Sequence, residues 1–97
     1  MTDRELLELA AKAISLPECG WMGPAFMYVK DNRFTDWNPL TDDGDALRLA
    51  VKLQLTPHID VNMTDCEGCT EVSLNDPYAA ARRAIVRAAA EIGRVMP

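Results

Sequence analysis

The chain has 97 residues, enough for one domain with one modest core, since a chain this size buries roughly 60–65% of its unfolded surface. Its formal net charge of −5 and sequence pI of about 4.7 exclude a general nucleic-acid binder or a binder of anionic membranes. With 48% apolar and 26% charged residues it has the balance of a folded globule rather than of a disordered or membrane-spanning chain.

The opening residues do not read as an export signal, because Asp3, Glu5 and Glu8 interrupt any apolar run. No stretch approaches the ~18–20 apolar residues that a membrane span requires. The expected location is cytoplasmic. Three cysteines in such a chain argue against a disulfide framework.

Thr2-Asp3-Arg4-Glu5 has the form of a capping box and opens a helix from about Asp3 to Ile14. Leu6, Leu9, Ala10 and Ala13 share one face, and Leu7 and Ile14 widen it. Pro17 and Gly20 end it. The segment from Cys19 to Pro24 reads as a loop that presents an exposed indole, Trp21. Ala25 to Lys30 reads as a strand, Asp31-Asn32 as a turn, and Arg33 to Trp37 as the returning strand of a hairpin. Pro39 limits that hairpin at its far end.

Pro39 fixes its own φ and disfavours the helical region at Asn38, so a helix must start afterwards. Thr41, Asp42 and Asp43 all suit an N-cap, and Asp42-x-x-Asp45 approximates a capping box. The helix runs to about Leu53. Ala46, Leu47, Leu49, Ala50, Val51 and Leu53 leave only a narrow polar stripe of Asp45, Arg48 and Lys52. That distribution predicts a helix covered on most sides and central in the fold. Asp45 and Arg48 are spaced for an i,i+3 ion pair.

Pro57 marks the next boundary. From His58 to Met63 the pattern alternates, with Ile59, Val61 and Met63 expected inward and His58, Asp60 and Asn62 outward. Asp65 to Gly68 reads as a loop, and Thr70 to Leu74 alternates again with Val72 and Leu74 inward. Asn75-Asp76-Pro77 opens the last helix, with Asp76 as N-cap and Pro77 at the first helical position. Tyr78, Ala81, Ile85, Ala88, Ile92 and Val95 form one apolar seam. Ala79, Ala80, Ala84, Ala89 and Ala90 raise helix propensity and permit close packing. The unbroken seam predicts a homodimer through this helix. The order is α-β-β-α-β-β-α, an α+β fold whose two antiparallel hairpins are expected to meet in one sheet with helices packed on it.

Two motifs carry a family resemblance. Trp37-Asn38-Pro39-Leu40-x-Asp42-Asp43-Gly44-Asp45-Ala46-x-x-Leu49-Ala50 and Asp76-Pro77-x-x-Ala80-x-Arg82-Arg83-Ala84-Ile85-x-x-Ala88-Ala89 resemble the phage ABA sandwich domain family, small proteins encoded in bacteriophages and prophages. The resemblance covers the three helical regions and leaves Cys19 to Asp36 and His58 to Leu74 without a counterpart. It implies an α/β/α sandwich and a phage accessory gene expressed in the cytoplasm of a bacterial host. No established reaction comes with it, so it transfers no catalytic residue.

Several groups could carry chemistry. Cys66-Glu67-Gly68-Cys69 is a C-x-x-C, and two thiolates at this spacing can grip one zinc. Cys19 and the single histidine, His58, could complete a set of three thiolates and one imidazole. The other reading is free thiols in a reducing cytoplasm. A redox C-x-x-C belongs at a helix N-terminus, whereas this one is expected in a β-loop. Asp36, Asp42, Asp43 and Asp45 lack the spacing and the bidentate Glu of a calcium loop, which leaves capping and solubility. His58 and Asp60 share a strand face, with no nucleophile or oxyanion donor near them in sequence.

Arg82, Arg83 and Arg87 could clamp a phosphate or a partner's acid, or decorate a solvated face. Trp21 in an exposed loop would make an interaction hot spot, with Tyr28 beside it in sequence, while Trp37 is expected in the core. No nucleophile–base–orienter set is present in the pattern, so the expectation is a non-enzymatic protein that binds a host protein, as an inhibitor of bacterial defence would. One alternative is an oligomer that holds a nucleotide between subunits with arginines on its phosphates. Another is a zinc-stabilised module. No cofactor besides that zinc is expected.

Overall fold

A computed structural model describes residues 1–97 in the order α1 (Asp3–Ala13), β1 (Gly20–Met22), β2 (Ala25–Lys30), β3 (Arg33–Asp36), α2 (Asp43–Leu53), β4 (Pro57–Ile59), β5 (Met63–Cys66), β6 (Cys69–Val72) and α3 (Pro77–Val95). The class is α+β, with helices packed on antiparallel sheet. The strands form two separate sheets, β1-β2-β3 and β4-β5-β6, rather than one. Each expected hairpin is completed by a third strand of its own, β1 beside β2 and β4 beside β5.

Helix starts follow local chemistry. Thr2 and Glu5 make the reciprocal capping box of α1, with the Glu5 amide donating to Thr2 Oγ1 at 3.2 Å and the Thr2 amide to Glu5 Oε1 at 3.1 Å. Asp42 caps α2 by accepting from the Asp45 amide at 2.8 Å, and Asp76 caps α3 by accepting from the Ala79 amide at 3.0 Å. The box at α2 is only half made, because the Asp45 carboxylate turns elsewhere. Two hairpin turns use two residues with left-handed backbone: Asp31 and Asn32 at φ 53° and 62°, and Glu67 and Gly68 at φ 51° and 88°. This geometry matches the twist of the flanking strands.

The central helix is α3, not α2. It buries Ala80, Ala84, Ile85, Val86, Ala88, Ala89, Ala90 and Gly93 against α1, α2 and the second sheet. By contrast α2 buries only Asp45, Ala46, Leu49 and Ala50 and leaves Leu47 and Val51 exposed. The expected seam of α3 is also broken: Tyr78 and Val95 are exposed, whereas Ile85 and Ala88 are buried inside the chain. The seam read for a homodimer through α3 is thus divided, with Ile85 and Ala88 covered by the chain's own elements and Tyr78 and Val95 left outside. Small residues cover several faces of this helix, so no single stripe marks its inner side.

The second sheet is inverted relative to expectation. The strand read as His58 to Met63 breaks at Asp60–Asn62 into β4 and the start of β5, and Asp65-Cys66 lie in β5 rather than in a loop. Thr64, Cys66 and Ser73 are buried, while Val61, Met63, Val72 and Leu74 are exposed. Side chains alternate along a strand, so an offset of one residue exchanges the two faces entirely. Here the alanine surface of α3 accepts the small side chains and leaves the large ones outside.

The approach of α1 to α3 is closest at Gly93. A Cβ built there would lie 1.9 Å from the backbone oxygen of Leu9. Glycine to alanine inside a helix ordinarily gains about 1 kcal/mol. Gly93→Ala should instead destabilise the fold by about 1–3 kcal/mol, the usual cost of overpacking. Urea unfolding of the variant checks this, and an unchanged or raised midpoint would show that the two helices can part freely.

Candidate functional site

The first sheet turns Trp21 and Phe26 toward the core and leaves Phe34 exposed. Trp21 lies opposite Phe26 across β1 and β2, with ring centroids 5.0 Å apart in an edge-on contact. Phe26 meets the buried Trp37 at 5.8 Å. The Arg4 guanidinium lies 3.9 Å above the Trp21 ring, a cation–π contact that ties α1 to this sheet. Trp21 is thus half-buried in a strand and covered by Arg4, not presented by a loop as expected. Its indole N–H is buried without an acceptor, so it is not displayed as a hot spot.

Tyr28 lines a cleft of about 560 Å³ between the first sheet and the start of α2, together with Lys30, Asp36, Asp42, Asp45 and Arg48. Asp45 is only 8% exposed, and its carboxylate accepts from the Asn38 amide at 3.0 Å and from Arg48 at 2.7 Å. The bond to Asp45 holds the Arg48 guanidinium above its ordinary pKa. Arg48 also lies 3.8 Å from Asp42. With Arg48 engaged, the cleft carries a surplus of carboxylate and does not suit a phosphate. Asp43 is absent from its lining and pairs with Arg82 instead, so the four aspartates noted in the sequence are divided between two places.

The three arginines of α3 are staples. Arg82 is the most enclosed, with a side chain 17% exposed. It donates to the Leu40 carbonyl at 2.8 Å and to Asp43 at 2.6 Å, which fixes α3 to the start of α2. Arg83 donates to Asp3 at 3.0 Å and ties α3 to the first turn of α1. Arg87 donates to the Thr70 carbonyl at 2.9 Å and to the Glu71 carboxylate, binding α3 to β6. They are neither a free anion clamp nor solvated decoration. Their partners, Asp3, Asp43 and Glu71, lie on three other elements, and no short-range spacing in the sequence joins them.

Cys66 and Cys69 lie opposite each other across the second tight turn. Cys66 is fully buried, and burial pushes its thiol up to about 11, with Glu67, Cys69 and Asp65 adding to the shift. Burial also raises Cys69. Both zinc and nucleophilic chemistry need the thiolate, which this surrounding disfavours. His58 lies opposite Asp65, which alternates with Cys66 along β5, so the imidazole is on the other face of the sheet. Cys19 is exposed just before β1. The structure does not bring Cys19, His58, Cys66 and Cys69 together, and no three His, Cys, Asp or Glu side chains are grouped to hold a metal ion.

The feature the sequence did not disclose is the outer face of the second sheet. Met63 and Val72 lie opposite each other on β5 and β6, both exposed. Val61 and Leu74 extend the apolar set beyond the strand ends, at 82% and 68% exposed, and Tyr78 is exposed in the first turn of α3. Val72 and Leu74 border a depression of about 400 Å³ that reaches Ala79 and Ala80 of α3. The signal for this face lay in Thr64, Cys66 and Ser73, the small residues that fit against an alanine-rich helix.

Three measurements test this geometry. Arg82→Ala should destabilise the fold by about 1–3 kcal/mol, because it leaves the Leu40 carbonyl without its charged donor. Arg94→Ala should change the melting temperature little, since its i,i+3 partner Glu91 is solvent-exposed. Equal effects in thermal melts would refute the staple role of Arg82. For the cysteines, iodoacetamide at mildly alkaline pH should modify Cys19 in the native chain and spare Cys66, with all three modified in denaturant, as read by mass spectrometry. The raised Cys66 pKa stabilises the fold while the thiol is protonated in both states. That contribution is complete below the unfolded value of 9.0 and is lost as pH rises toward about 11. A melting temperature that holds steady through that window would contradict the assignment.

No protein-family model, no curated protein and no solved structure matches the chain, so the functional reading rests on its own residues and geometry.

Proposed function

We propose that this chain is a non-enzymatic binding protein that engages another protein through the outer face of its second sheet. The observation that supports the reading is the exposure of Met63 and Val72 opposite each other on that face, with Val61 and Leu74 exposed beyond the strand ends. Full burial of one such aliphatic side chain is worth about 1.5–3 kcal/mol, and a large apolar patch on a small soluble domain characteristically marks an interaction site. The resemblance of the Trp37 to Ala50 and Asp76 to Ala89 motifs to the phage ABA sandwich family supplies the setting. In that setting the chain is a bacteriophage or prophage accessory protein in the host cytoplasm, and its partner is a host protein such as a component of anti-phage defence.

The test is a pull-down from bacterial lysate with the wild-type chain, Val72→Asp and Asp36→Asn, followed by reconstitution of the captured pair from purified proteins. A specific partner should be retained by the wild type and by Asp36→Asn, which alters only the distant cleft, and be lost with Val72→Asp. Equal retention by Val72→Asp, or loss with Asp36→Asn alone, would remove the second sheet as the binding surface. No helix of the chain is long and apolar enough to cross a membrane, so the lysate can be cleared without detergent.

A further inference from the structure

We infer that the segment docking on this face presents lysine or arginine side chains around an apolar centre. The inference rests on the binding reading above and specifies the chemistry of the partner. From Leu53 to Ala81 the chain contains no lysine or arginine, and it contains Asp60, Asp65, Glu67, Glu71 and Asp76. In the first half acids and bases alternate, with Arg4 and Lys12 in α1, Lys30 and Arg33 around the first turn, and Arg48 and Lys52 in α2.

The ion pairs sharpen the contrast. Glu71 is neutralised by Arg87, with Arg83 at 4.0 Å. Asp60, Asp65, Glu67 and Asp76 form no ion pair with any cationic side chain of this chain. Each is held by a neutral donor: Asp65 accepts from the Thr70 hydroxyl at 2.9 Å, Glu67 from the Thr56 amide at 3.2 Å, Asp76 from the Ala79 amide at 3.0 Å, and Asp60 from the Val61 amide. The carboxylates are oriented but have no cationic partner within the chain.

Asp60, Asp65 and Asp76 also stand where a partner would meet them, whereas Glu67 lies toward Leu55 and Ile92 on the α3 side. Residues two apart on a strand share a face, so Asp65 projects on the same side as Met63. The outer face is therefore two adjacent rows, His58-Asp65-Thr70 and Met63-Val72. Asp60 and Asp76 flank Val61 and Leu74 in sequence, and Asp76 lines the depression beside Val72. The depression is also lined by Glu71 and Arg83, but these are already engaged with Arg87 and Asp3, so Asp76 is the unpaired charge that an apolar anchor entering it would bring its neighbours against. A basic segment complements this field. A second copy of the chain would set carboxylate against carboxylate, and nucleic acid and anionic bilayers carry the wrong sign.

The experiment is selection of random displayed dodecapeptides on the purified full chain, with counter-selection on Val72→Asp. Enriched peptides should combine large apolar residues with lysine or arginine and carry net positive charge. A synthesised representative should bind at least ~10-fold more weakly at high salt than at low salt, because rim charges are screened within about a Debye length. The Asp60→Asn, Asp65→Asn double variant, with its melting transition unchanged, should weaken binding severalfold. Enriched peptides that are neutral or acidic, yet lost on Val72→Asp, would overturn the basic partner and leave the binding face standing. Peptides held equally by wild type, Val72→Asp and Leu74→Asp, or no enrichment at all, would overturn both. Val61→Asp replaces either variant that fails to fold. Self-association of the wild type abolished by Val72→Asp would overturn the basic partner in favour of a second copy.

Discussion

The backbone oxygen of Leu9 occupies space that a side chain at position 93 would need, and most of the architecture follows from that proximity. Two helices can come this close only where one of them carries residues without bulk. From Ala80 to Gly93 α3 offers alanine on several sides, so it can sit beneath α1, beside α2 and behind the second sheet at once. A helix with larger side chains would hold each neighbour further away and could not serve all three. The cost is a core with few large side chains, in which Leu49 and Val86 are the largest hydrophobic residues that are wholly enclosed.

Polar contacts supply what such a core lacks in specificity. Close packing between small residues does not by itself determine rotation about the helix axis, since one alanine face resembles another. Arg82, Arg83 and Arg87 reach from α3 to Asp43, Asp3 and Glu71 on three different elements and remove that freedom. Exposed pairs contribute little to stability, but a partly buried arginine bonded to a backbone carbonyl has direction as well as charge. Arg82 and Arg87 both bond a carbonyl and a carboxylate, so their geometry is fixed at two points.

What could be read in the sequence was what local chemistry decides. The capping box at Thr2, the aspartate caps at Asp42 and Asp76, Pro77 at the first helical position and the Asp31-Asn32 turn depend on neighbours within a few residues. The α+β class followed from them. What could not be read depends on which surface meets which. The alternation of Val61, Met63, Val72 and Leu74 is a real strand pattern, yet its direction is settled by α3. Thr64, Cys66 and Ser73 fit the alanine surface, and larger residues would force the sheet away from it. Trp21 was hidden for a similar reason: β1 is only three residues long, and its role depends on Phe26 opposite it and on Arg4 from another element. Arg82, Arg83 and Arg87 stand together in the sequence, but each reaches a partner far away in the chain, on a different element.

The same inversion links stability to binding. Small residues inside and large ones outside is the reverse of what maximises folding free energy, since burial of apolar area is the main driving force. A chain arranged this way keeps Val61, Met63, Val72 and Leu74 on a surface that only a partner can cover. Whatever covers Val72 and Leu74 binds the folded chain and not the unfolded one, so it stabilises the fold through mass action, by about 2.7 kcal/mol at a hundredfold excess over Kd. The carboxylates around that face have no cationic partner within the chain, so a cation from outside can pair with them when the face is covered. Apolar exposure and uncompensated charge occupy the same region, and both are removed by the same event. That coincidence favours a docking role for the second sheet over a purely structural one.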